Sequence, residues 1–345
     1  MTATGEATNT PLTWLDVASL TIEGKGWTDT ESFYDRFPAR AKELVDPNVW
    51  HLAKQSAGIV VRFETDSNEI HVRWKLTLDR LALTHMPATG VSGVDLYAMN
   101  DGRARHLAVG FPVEAENEVQ LARNLCGRMC EYALYLPLYN GVESVELGVC
   151  ADSTIRKAGK HKKNIKPVVF YGSSIVQGAC ASRPGRAYPS IISRMLDIET
   201  INLGFSGSGR CEHEVSELLA QIDPSVYVID CIPNMAVDTV DERIRYLLDT
   251  LITAPRTPVI LIESPGLQKE RICHDDPWNL LQKNAILKDV YQDCVDGWNG
   301  GMHYIEGSSL LGDDGEATVD NLHPNDLGFY RMANAIAPVI GDALK

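Results

Sequence analysis

The chain has 345 residues, more than one hydrophobic core of ordinary size accommodates, which predicts two domains. Its formal net charge of −14 argues against nucleic acid or an anionic membrane as a partner, because both select basic protein surfaces. The sequence shows neither an export signal nor an apolar segment of membrane-spanning length, so we expect a cytoplasmic protein whose eight cysteines are reduced thiols, of an oligomeric state that the sequence leaves open.

The first half of the chain has the two-residue periodicity of β-strands. Residues 1–11 are expected to be disordered, and residues 12–155 to form one all-β domain. Between residues 69 and 78, apolar side chains such as Val72 and Trp74 alternate with polar ones, which is typical of a half-buried strand. Similar runs occur at 59–65, 94–100, 103–111, 119–125, 130–136 and 142–149, with one helical candidate at 39–45. These seven strands predict a β-sandwich, jelly-roll-like in its topology.

Residues 156–166 form a basic, polar run between two regularly patterned regions. Such runs are usually solvated, so we interpret this one as an interdomain linker rather than as a patch that attracts anionic substrates.

From residue 167 to residue 345, short apolar strands alternate with helical segments. The strands are expected near 168–171, 200–203, 226–231, 259–263 and 302–305, and the helices near 185–196, 212–222, 237–253, 279–294 and 326–337. This alternation predicts a doubly wound parallel sheet with helices on both faces. No Gly-rich phosphate loop with the required Lys follows any strand, so we expect no nucleotide cofactor.

A pair of serines, Ser173 and Ser174, lies on the turn that leaves the first of these strands. Such a turn exposes a hydroxyl oxygen and directs helix N-terminal N–H groups at an anion. Taken alone, the serines are equally well explained as helix caps.

Two further polar positions follow the next two strands. Gly207 lies in a Gly- and Ser-rich loop after residues 200–203, and Asn234 comes soon after residues 226–231. A glycine N–H and an Asn amide are the donors that an oxyanion needs, although each also suits a tight turn. Because open α/β sheets bind ligands at the carboxyl edge of their strands, we expect these residues to lie beside Ser174.

Near the C-terminus, Asp320 precedes His323 by three residues, and Pro324 follows. Pro is favoured at the first position of a helix, so His323 is expected at or just before the helix N-terminus, with Asp320 on the turn before it. The carboxylate then accepts from Nδ1–H and leaves Nε2 free to take a proton. A loop His with a capping Asp is the alternative for an isolated motif of this kind.

The order and spacing of these blocks resemble the SGNH/GDSL hydrolase superfamily over about residues 165–345. Ser174 matches the nucleophile block, Gly207 and Asn234 match the two oxyanion-hole blocks, and Asp320 with His323 matches the Asp-x-x-His-Pro block. The resemblance implies the flavodoxin-like strand order 2-1-3-4-5.

One position departs from the family pattern, since Ser173 stands where the family usually carries Asp. The segments at 93–97 and 136–141 resemble the N-terminal domain that accompanies one bacterial branch of these hydrolases.

The resemblance implies a serine esterase that needs neither a metal nor another cofactor. Ser174 would be the nucleophile, His323 the general base and Asp320 the group that orients it. The backbone N–H groups of Ser174 and Gly207 and the side-chain amide of Asn234 would form the oxyanion hole. Cys180, Cys211 and Cys231 lie near these blocks, so a Cys nucleophile is an alternative, but no base block accompanies any of them.

The substrate is less closely specified by the sequence. A sandwich domain of carbohydrate-binding shape and the absence of a long apolar helical lid favour a small acyl ester, with acetyl on a sugar or oligosaccharide as the first expectation. Trp278, just after Asp276 and Pro277, is the candidate for stacking on a sugar at the rim of the site. A lipid esterase, an acyl-thioesterase and a non-catalytic binding protein that retains the fold are the alternatives.

Overall fold

The computed structural model describes residues 11–100, 103–159, 161, 165–251, 257–267, 276–298 and 301–345. An antiparallel β-sandwich precedes a parallel α/β sheet, so the fold class predicted from the sequence is confirmed. In these ranges no helix combines the length and the hydropathy that crossing a membrane requires.

Two antiparallel sheets form the sandwich. Its strands are β1 (Leu12–Asp16), β2 (Thr21–Glu23), β3 (Val60–Thr65), β4 (Ile70–Leu76), β5 (Val94–Asn100), β6 (Arg103–Gly110), β7 (Glu116–Ala122), β8 (Cys130–Tyr135), β9 (Val142–Cys150) and β10 (Ile155–Lys157), with helices α1 (Pro47–Ala53) and α2 (Ala88–Val91) between them. One sheet has the order β1-β9-β4-β7, and the other has the order β10-β3-β8-β5-β6 with β2 paired to β3. The alternating apolar side chains of β4 point into the core between the sheets.

Three short strands, β1, β2 and β10, were not predicted. Strand β10 pairs with β3 and includes Arg156 and Lys157, so the basic run expected to be a linker begins inside the sheet. Strand β7 lies three residues before the predicted 119–125, because Asn124 adopts a left-handed φ of 56° that ends the extended conformation.

The helix expected at 39–45 is a 3₁₀ helix at Ala39–Glu43, and the α-helix follows it as α1. Asp46 caps α1 by accepting from the N–H of Asn48, and Pro47 occupies the first turn. Asp46 and Pro47 therefore form a helix start signal in the sequence, which the prediction of a helix at 39–45 did not take into account, and it predicts the beginning of α1 at the position observed.

The second region is a five-stranded parallel sheet among the described residues. Its strands are β11 (Val168–Gly172), β12 (Thr200–Gly204), β13 (Val226–Asp230), β14 (Val259–Ile262) and β15 (Met302–Ile305). Its helices are α3 (Ser174–Gln177), α4 (Tyr188–Leu196), α5 (His213–Leu219), α6 (Val240–Leu251), α7 (Leu280–Cys294) and α8 (Asp326–Ala343). The order β12-β11-β13-β14-β15 is the predicted 2-1-3-4-5.

The N-terminal region completes both layers that cover the parallel sheet. On one face, Trp27, Phe37 and Trp50 share a core with side chains of β11, β12 and α5. On the other face, Leu138 and Tyr139 join the core formed by β11, α4 and α8. The two regions are therefore parts of one packed unit, and neither of these cores is complete without the N-terminal residues.

A buried cation, Arg36, strengthens this junction. Its guanidinium donates to the carbonyl oxygens of Gly204 at 2.7 Å and Asn202 at 3.1 Å, both on β12, and to those of Gln55 and Leu52 at 2.7 Å each. Burial lowers the pKa of Arg36 to about 9. The carboxyl end of β12 is thus tied to the segment around α1.

A second tie uses Asp95, which lies in the 93–97 segment and is fully buried. Its carboxylate accepts from Arg183 at 2.7 Å and from the N–H of Gly185 at 2.9 Å. Since both partners belong to the loop before α4, this segment fixes the sandwich to the α/β region.

Candidate active site

The first predicted site residue, Ser174, lies at the sharp turn between β11 and α3. Gly172 ends the strand where an added Cβ would meet the carbonyl oxygen of Asp230 at 1.9 Å, so only glycine fits there. Ser173 caps α3 through an N–H···Oγ bond of 3.2 Å from Ile175. Serine in place of the family's Asp therefore keeps a capping oxygen at this position.

A chain of two hydrogen bonds links Ser174, His323 and Asp320. The Ser174 Oγ lies 2.9 Å from His323 Nε2, and His323 Nδ1 lies 2.7 Å from Asp320 Oδ2. Ser174 is 5% exposed, whereas the two partners are partly open to solvent. These atoms are arranged for proton transfer from the hydroxyl to the imidazole.

Asp320 is held by its own turn as well as by the imidazole. Its Oδ1 accepts from the N–H groups of His323 at 2.8 Å and Leu322 at 3.2 Å. Burial alone would raise the pKa of Asp320, but the hydrogen bonds and the attraction of His323 outweigh it and hold the pKa below its ordinary value. The carboxylate therefore stays ionised and fixes the orientation of the imidazole.

The prediction that Pro324 begins the last helix is wrong. Helix α8 begins at Asp326, and Asn325 caps it by accepting from the N–H groups of Leu327 and Gly328. Pro324 instead lies in an extended bridge with Thr318. Asn is one of the strongest capping residues, which explains why the helix begins after Asn325, near the predicted residue 326, and not at Pro324.

The two other predicted blocks meet at the loop after β12. Gly207 has a φ of 69° and nothing within 4 Å of the position a Cβ would take, so its backbone borders open space. The Asn234 Nδ2 donates to the carbonyl oxygen of Phe205 at 3.3 Å in the same loop. Gln177 of α3 accepts from the N–H of Ser206 at 2.9 Å, which ties this loop to the helix that carries Ser174.

The sandwich supplies two residues of the site that the sequence analysis did not identify. The Tyr139 hydroxyl donates to the Ser174 carbonyl oxygen at 3.4 Å, and the His85 ring centroid lies 5.6 Å from that of His323. Tyr139 lies in the 136–141 segment, and the resemblance of that segment to the N-terminal domain of these hydrolases could have identified it as a site residue. His85 lies in a turn between Leu83 and Met86 and belongs to no motif that the sequence analysis found.

A cavity of about 470 Å³ opens beside His323. It is lined by polar and apolar side chains of both regions, namely His85, Pro87, Cys180, Ser182, Glu316, Val319, Asn325, Asp326 and Leu327. The lining includes two carboxylates, and Asp326 accepts from the Ser182 hydroxyl at 2.6 Å.

The other candidate residues are Trp278 and the three cysteines near the site blocks. Trp278 is 48% exposed and precedes Leu280, which packs against Leu322 beside His323. Burial and nearby Asp320 raise the pKa of the Cys180 thiol to about 12, which disfavours it as a nucleophile. Cys211 and Cys231 are fully buried and lie against each other, with 3.1 Å between the sulfur atoms.

Two family models match the chain. One, the GDSL-like lipase/acylhydrolase family, covers residues 165–341, and the other, the N-terminus of SGNH-hydrolase-type esterases, covers residues 12–155. No curated protein matches the chain in sequence.

Solved structures resemble the chain over nearly its whole length. A protein described as a GDSL-like lipase from Bacteroides ovatus is 35% identical, with a TM-score of 0.90 over 97% of this chain and 98% of that one. The salicylyl-acyltransferase SsfX3 from a tetracycline biosynthetic pathway is 17% identical, with a TM-score of 0.75 over 97% and 99%. A family two carbohydrate esterase from Clostridium thermocellum, in complex with cellohexaose, is 14% identical, with a TM-score of 0.59 over 84% and 93%. The last two likenesses establish the fold alone.

Proposed function

Because this chain belongs to the GDSL-like lipase/acylhydrolase family and is a carboxylic ester hydrolase, we propose that it is a serine esterase that cleaves small acyl esters, acetyl esters of carbohydrates in the first place. One observation carries the proposal: Ser174, His323 and Asp320 are joined by hydrogen bonds of 2.9 and 2.7 Å. These three residues are separated in the sequence, and the distances are those that a nucleophile, its base and the base's partner require.

In the proposed mechanism, His323 Nε2 takes the proton of Ser174 as its Oγ attacks the ester carbonyl carbon. The tetrahedral intermediate then collapses, and the imidazolium gives the proton to the departing alcohol. Water enters, loses a proton to the same nitrogen and attacks the acyl-serine, and the acid leaves as Ser174 regains its proton. Asp320 remains a carboxylate throughout and stabilises the imidazolium.

The proposed oxyanion hole uses the N–H groups of Ser174 and Gly207 and the Asn234 amide. The open space at Gly207 leaves room for a substrate oxygen. The contact between Asn234 and the carbonyl oxygen of Phe205 orients the amide and uses one of its two hydrogens. The other hydrogen is then available to the negative charge that develops on the substrate.

The cavity beside His323 offers hydrogen-bond partners to a polar alcohol group. Glu316 and Asp326 contribute carboxylates to its lining, together with the polar side chains of Ser182 and Asn325. Sugar hydroxyls would find partners there, while the apolar part of the lining suits a short acyl group or the apolar face of a sugar ring, and comes from Pro87, Val319 and Leu327. Exposed Trp278 lies two residues before Leu280, which packs with Leu322 next to His323 in the sequence, so it remains the proposed rim residue for stacking on a sugar.

The proposal is tested by comparing hydrolysis rates for p-nitrophenyl esters of increasing chain length and for acetylated oligosaccharides. We expect the highest kcat/KM for acetyl and a fall with each lengthening of the acyl chain. Ser174→Ala should abolish hydrolysis and labelling by a fluorophosphonate, while Ser173→Ala, the matched control, should still be labelled. A rate that rises with chain length would instead establish a lipid esterase, and labelling that survives Ser174→Ala would refute the nucleophile.

Acyl transfer is a second candidate, since the fold shared with a salicylyl-acyltransferase extends over 97% of the chain. In that case an acceptor alcohol, not water, would resolve the acyl-serine. Product analysis in the presence of added sugar alcohols separates the two functions, because transfer yields a new ester and hydrolysis yields only free acid.

A further inference from the structure

We propose that His85, Cys180 and His323 form an inhibitory Zn²⁺ site at the mouth of the active site. The metal-binding part of this proposal depends on geometry alone. The inhibition rests on the proposed function, in which His323 is the general base.

The three side chains come from distant parts of the sequence and meet only in the folded chain. Their ligand atoms, two imidazole nitrogens and one thiol sulfur, all lie within 4.8 Å of one another. In tetrahedral zinc sites the ligand atoms are about 3.5 Å apart, so the cluster must close by about 1 Å to hold the ion. His85 lies on a tight turn and borders the open cavity, where a side-chain rotation can supply this movement.

The ligand set suits Zn²⁺ better than hard cations. Two imidazoles and one cysteine sulfur, with water as a fourth ligand, match the nitrogen and sulfur preference of zinc. The Cys180 thiol is protonated in the free protein, and Zn²⁺ would displace that proton to solvent when it binds the sulfur. Mg²⁺ and Ca²⁺ prefer oxygen ligands and should not compete.

Asp320 provides the outer support that metal-binding histidines usually have. It accepts from His323 Nδ1 at 2.7 Å, which leaves Nε2 as the atom that faces an ion. This carboxylate–histidine arrangement fixes the tautomer and makes the imidazole a stronger ligand.

A cation can reach the cluster from solvent. His85 and Cys180 line the cavity of about 470 Å³, and Glu316 and Asp326 line it as well. Asp326 is paired with Arg186 at 3.5 Å, so Glu316 is the carboxylate that contributes more to attracting divalent cations into the cavity.

A bound ion would take the lone pair on which the proposed mechanism depends. Zn²⁺ on His323 Nε2 replaces the hydrogen bond to Ser174 Oγ, so the serine keeps its proton and hydrolysis stops. The release of zinc by a chelator restores the lone pair, so the inhibition is reversible.

The first experiment measures p-nitrophenyl acetate hydrolysis by the full-length enzyme over a range of ZnCl₂ concentrations, in a buffer and with a phosphine reductant that do not bind zinc. We expect complete inhibition that EDTA reverses, and no inhibition by MgCl₂ at the same concentrations. Cys180→Ser and His85→Gln should each raise the half-inhibitory zinc concentration at least about tenfold, because even loss of an outer-shell partner costs about 10–100-fold in metal affinity.

A matched control uses the other thiols that the structure places close together on the surface of the sandwich. The Cys126 and Cys130 sulfur atoms are 3.9 Å apart, so they are an alternative zinc ligand pair. The double variant Cys126→Ser/Cys130→Ser should keep the wild-type zinc response. If this variant loses the response while Cys180→Ser retains it, the proposed site is wrong.

A second experiment detects metal binding directly and does not require esterase activity. Co²⁺ bound to a thiolate has a charge-transfer absorption in the near ultraviolet, which we expect for the wild type and for inactive Ser174→Ala and not for Cys180→Ser. Absorption without inhibition would show that the metal binds Cys180 without occupying His323 Nε2, and would overturn the proposed inhibitory site. Neither absorption nor zinc inhibition in the wild type, or a zinc response unchanged in both ligand variants, overturns the proposal.

Discussion

Asp320 and His323 are joined by two hydrogen bonds, one to the backbone and one to the imidazole. The short turn between them, with Asn321 at a φ of 73°, places the carboxylate against both the N–H and the Nδ1 of His323. A three-residue spacing is therefore enough to place a carboxylate against an imidazole locally, as the proposed base and its orienting partner require.

Replacement of Asp320 by Asn should lower kcat/KM by about 10³–10⁴, because an amide holds the imidazole in the wrong tautomer. His323→Ala should cost as much as Ser174→Ala, since the members of a triad act as a unit. Steady-state kinetics at pH 7–8 check both. Wild-type rates for Asp320→Asn would mean that another carboxylate orients His323, and Asp326 would not suit that role because it accepts from Ser182.

Loss of the Asn234 amide should lower kcat by roughly 10²–10³ and change KM little. The physical reason is that the amide donates to an oxygen whose charge develops only in the transition state. Asn234→Asp should be at least as damaging as Asn234→Ala, because it also lacks the donor and places a negative charge beside the developing oxyanion. A raised KM with kcat intact would make Asn234 a ground-state binding residue.

At the scale of single elements, strand β13 ends in a carboxyl group, that of Asp230, which is buried without a cationic partner among the described residues. Asp230 is fully buried, its Oδ2 accepts from the Tyr188 hydroxyl at 3.0 Å, and burial raises its pKa to about 7. The folded state therefore binds this proton more tightly than the unfolded chain does. Stability from this group is complete below about pH 4 and is lost as the pH rises through 7.

Asp230→Asn should consequently raise Tm at pH 8 and give no such gain at pH 5. The gain at pH 8 corresponds to about 2–4 kcal/mol, the cost of ionising a buried carboxyl whose pKa is raised by this amount. Thermal unfolding at the two pH values measures it, with exposed Asp152→Asn as the control. An equal effect of Asp230→Asn at both pH values would contradict the account.

The segment before α1 depends on the buried guanidinium of Arg36. Arg36→Met would remove the guanidinium donor from four carbonyl groups, three of them in fully buried contacts, so we expect a loss of at least about 3 kcal/mol in the free energy of unfolding. Arg40→Met is the matched control, because Arg40 lies four residues on and forms an exposed ion pair with Asp29. Urea unfolding should show a loss of no more than about 1 kcal/mol for that control.

At the scale of the whole molecule, the α/β region is not an independent unit. Residues of the N-terminal region occupy both layers on the parallel sheet, and Tyr139 and His85 reach Ser174 and His323. Removing that region uncovers apolar surface on both faces and takes away part of the site.

Expression of residues 165–345 alone should therefore yield a chain that aggregates or lacks a cooperative unfolding transition. Phe37→Ala in the full-length chain is the milder test, expected to cost about 3–5 kcal/mol because Phe37 is fully buried in the core shared with β12 and α5. Circular dichroism melts and acetyl ester kinetics provide the readouts. An isolated fragment with unaltered kcat and KM would refute this view of the fold.

The sequence by itself determined the order of the elements, the parallel sheet and the three loops that carry Ser174, Gly207 and Asn234. Local periodicity and turn chemistry are enough for this, because strand ends on one edge of a parallel sheet must meet. The family resemblance added the strand order 2-1-3-4-5.

The tertiary structure alone decided how the two regions join and what else borders the site. The core that Trp27 and Phe37 share with the parallel sheet, and the contact of His85 with His323, both depend on packing between distant segments. Local patterns report which face of an element is apolar but not which distant segment covers it. For this reason the sequence predicted two domains but not the residues through which they pack, which the cores shared by both regions provide in the described structure.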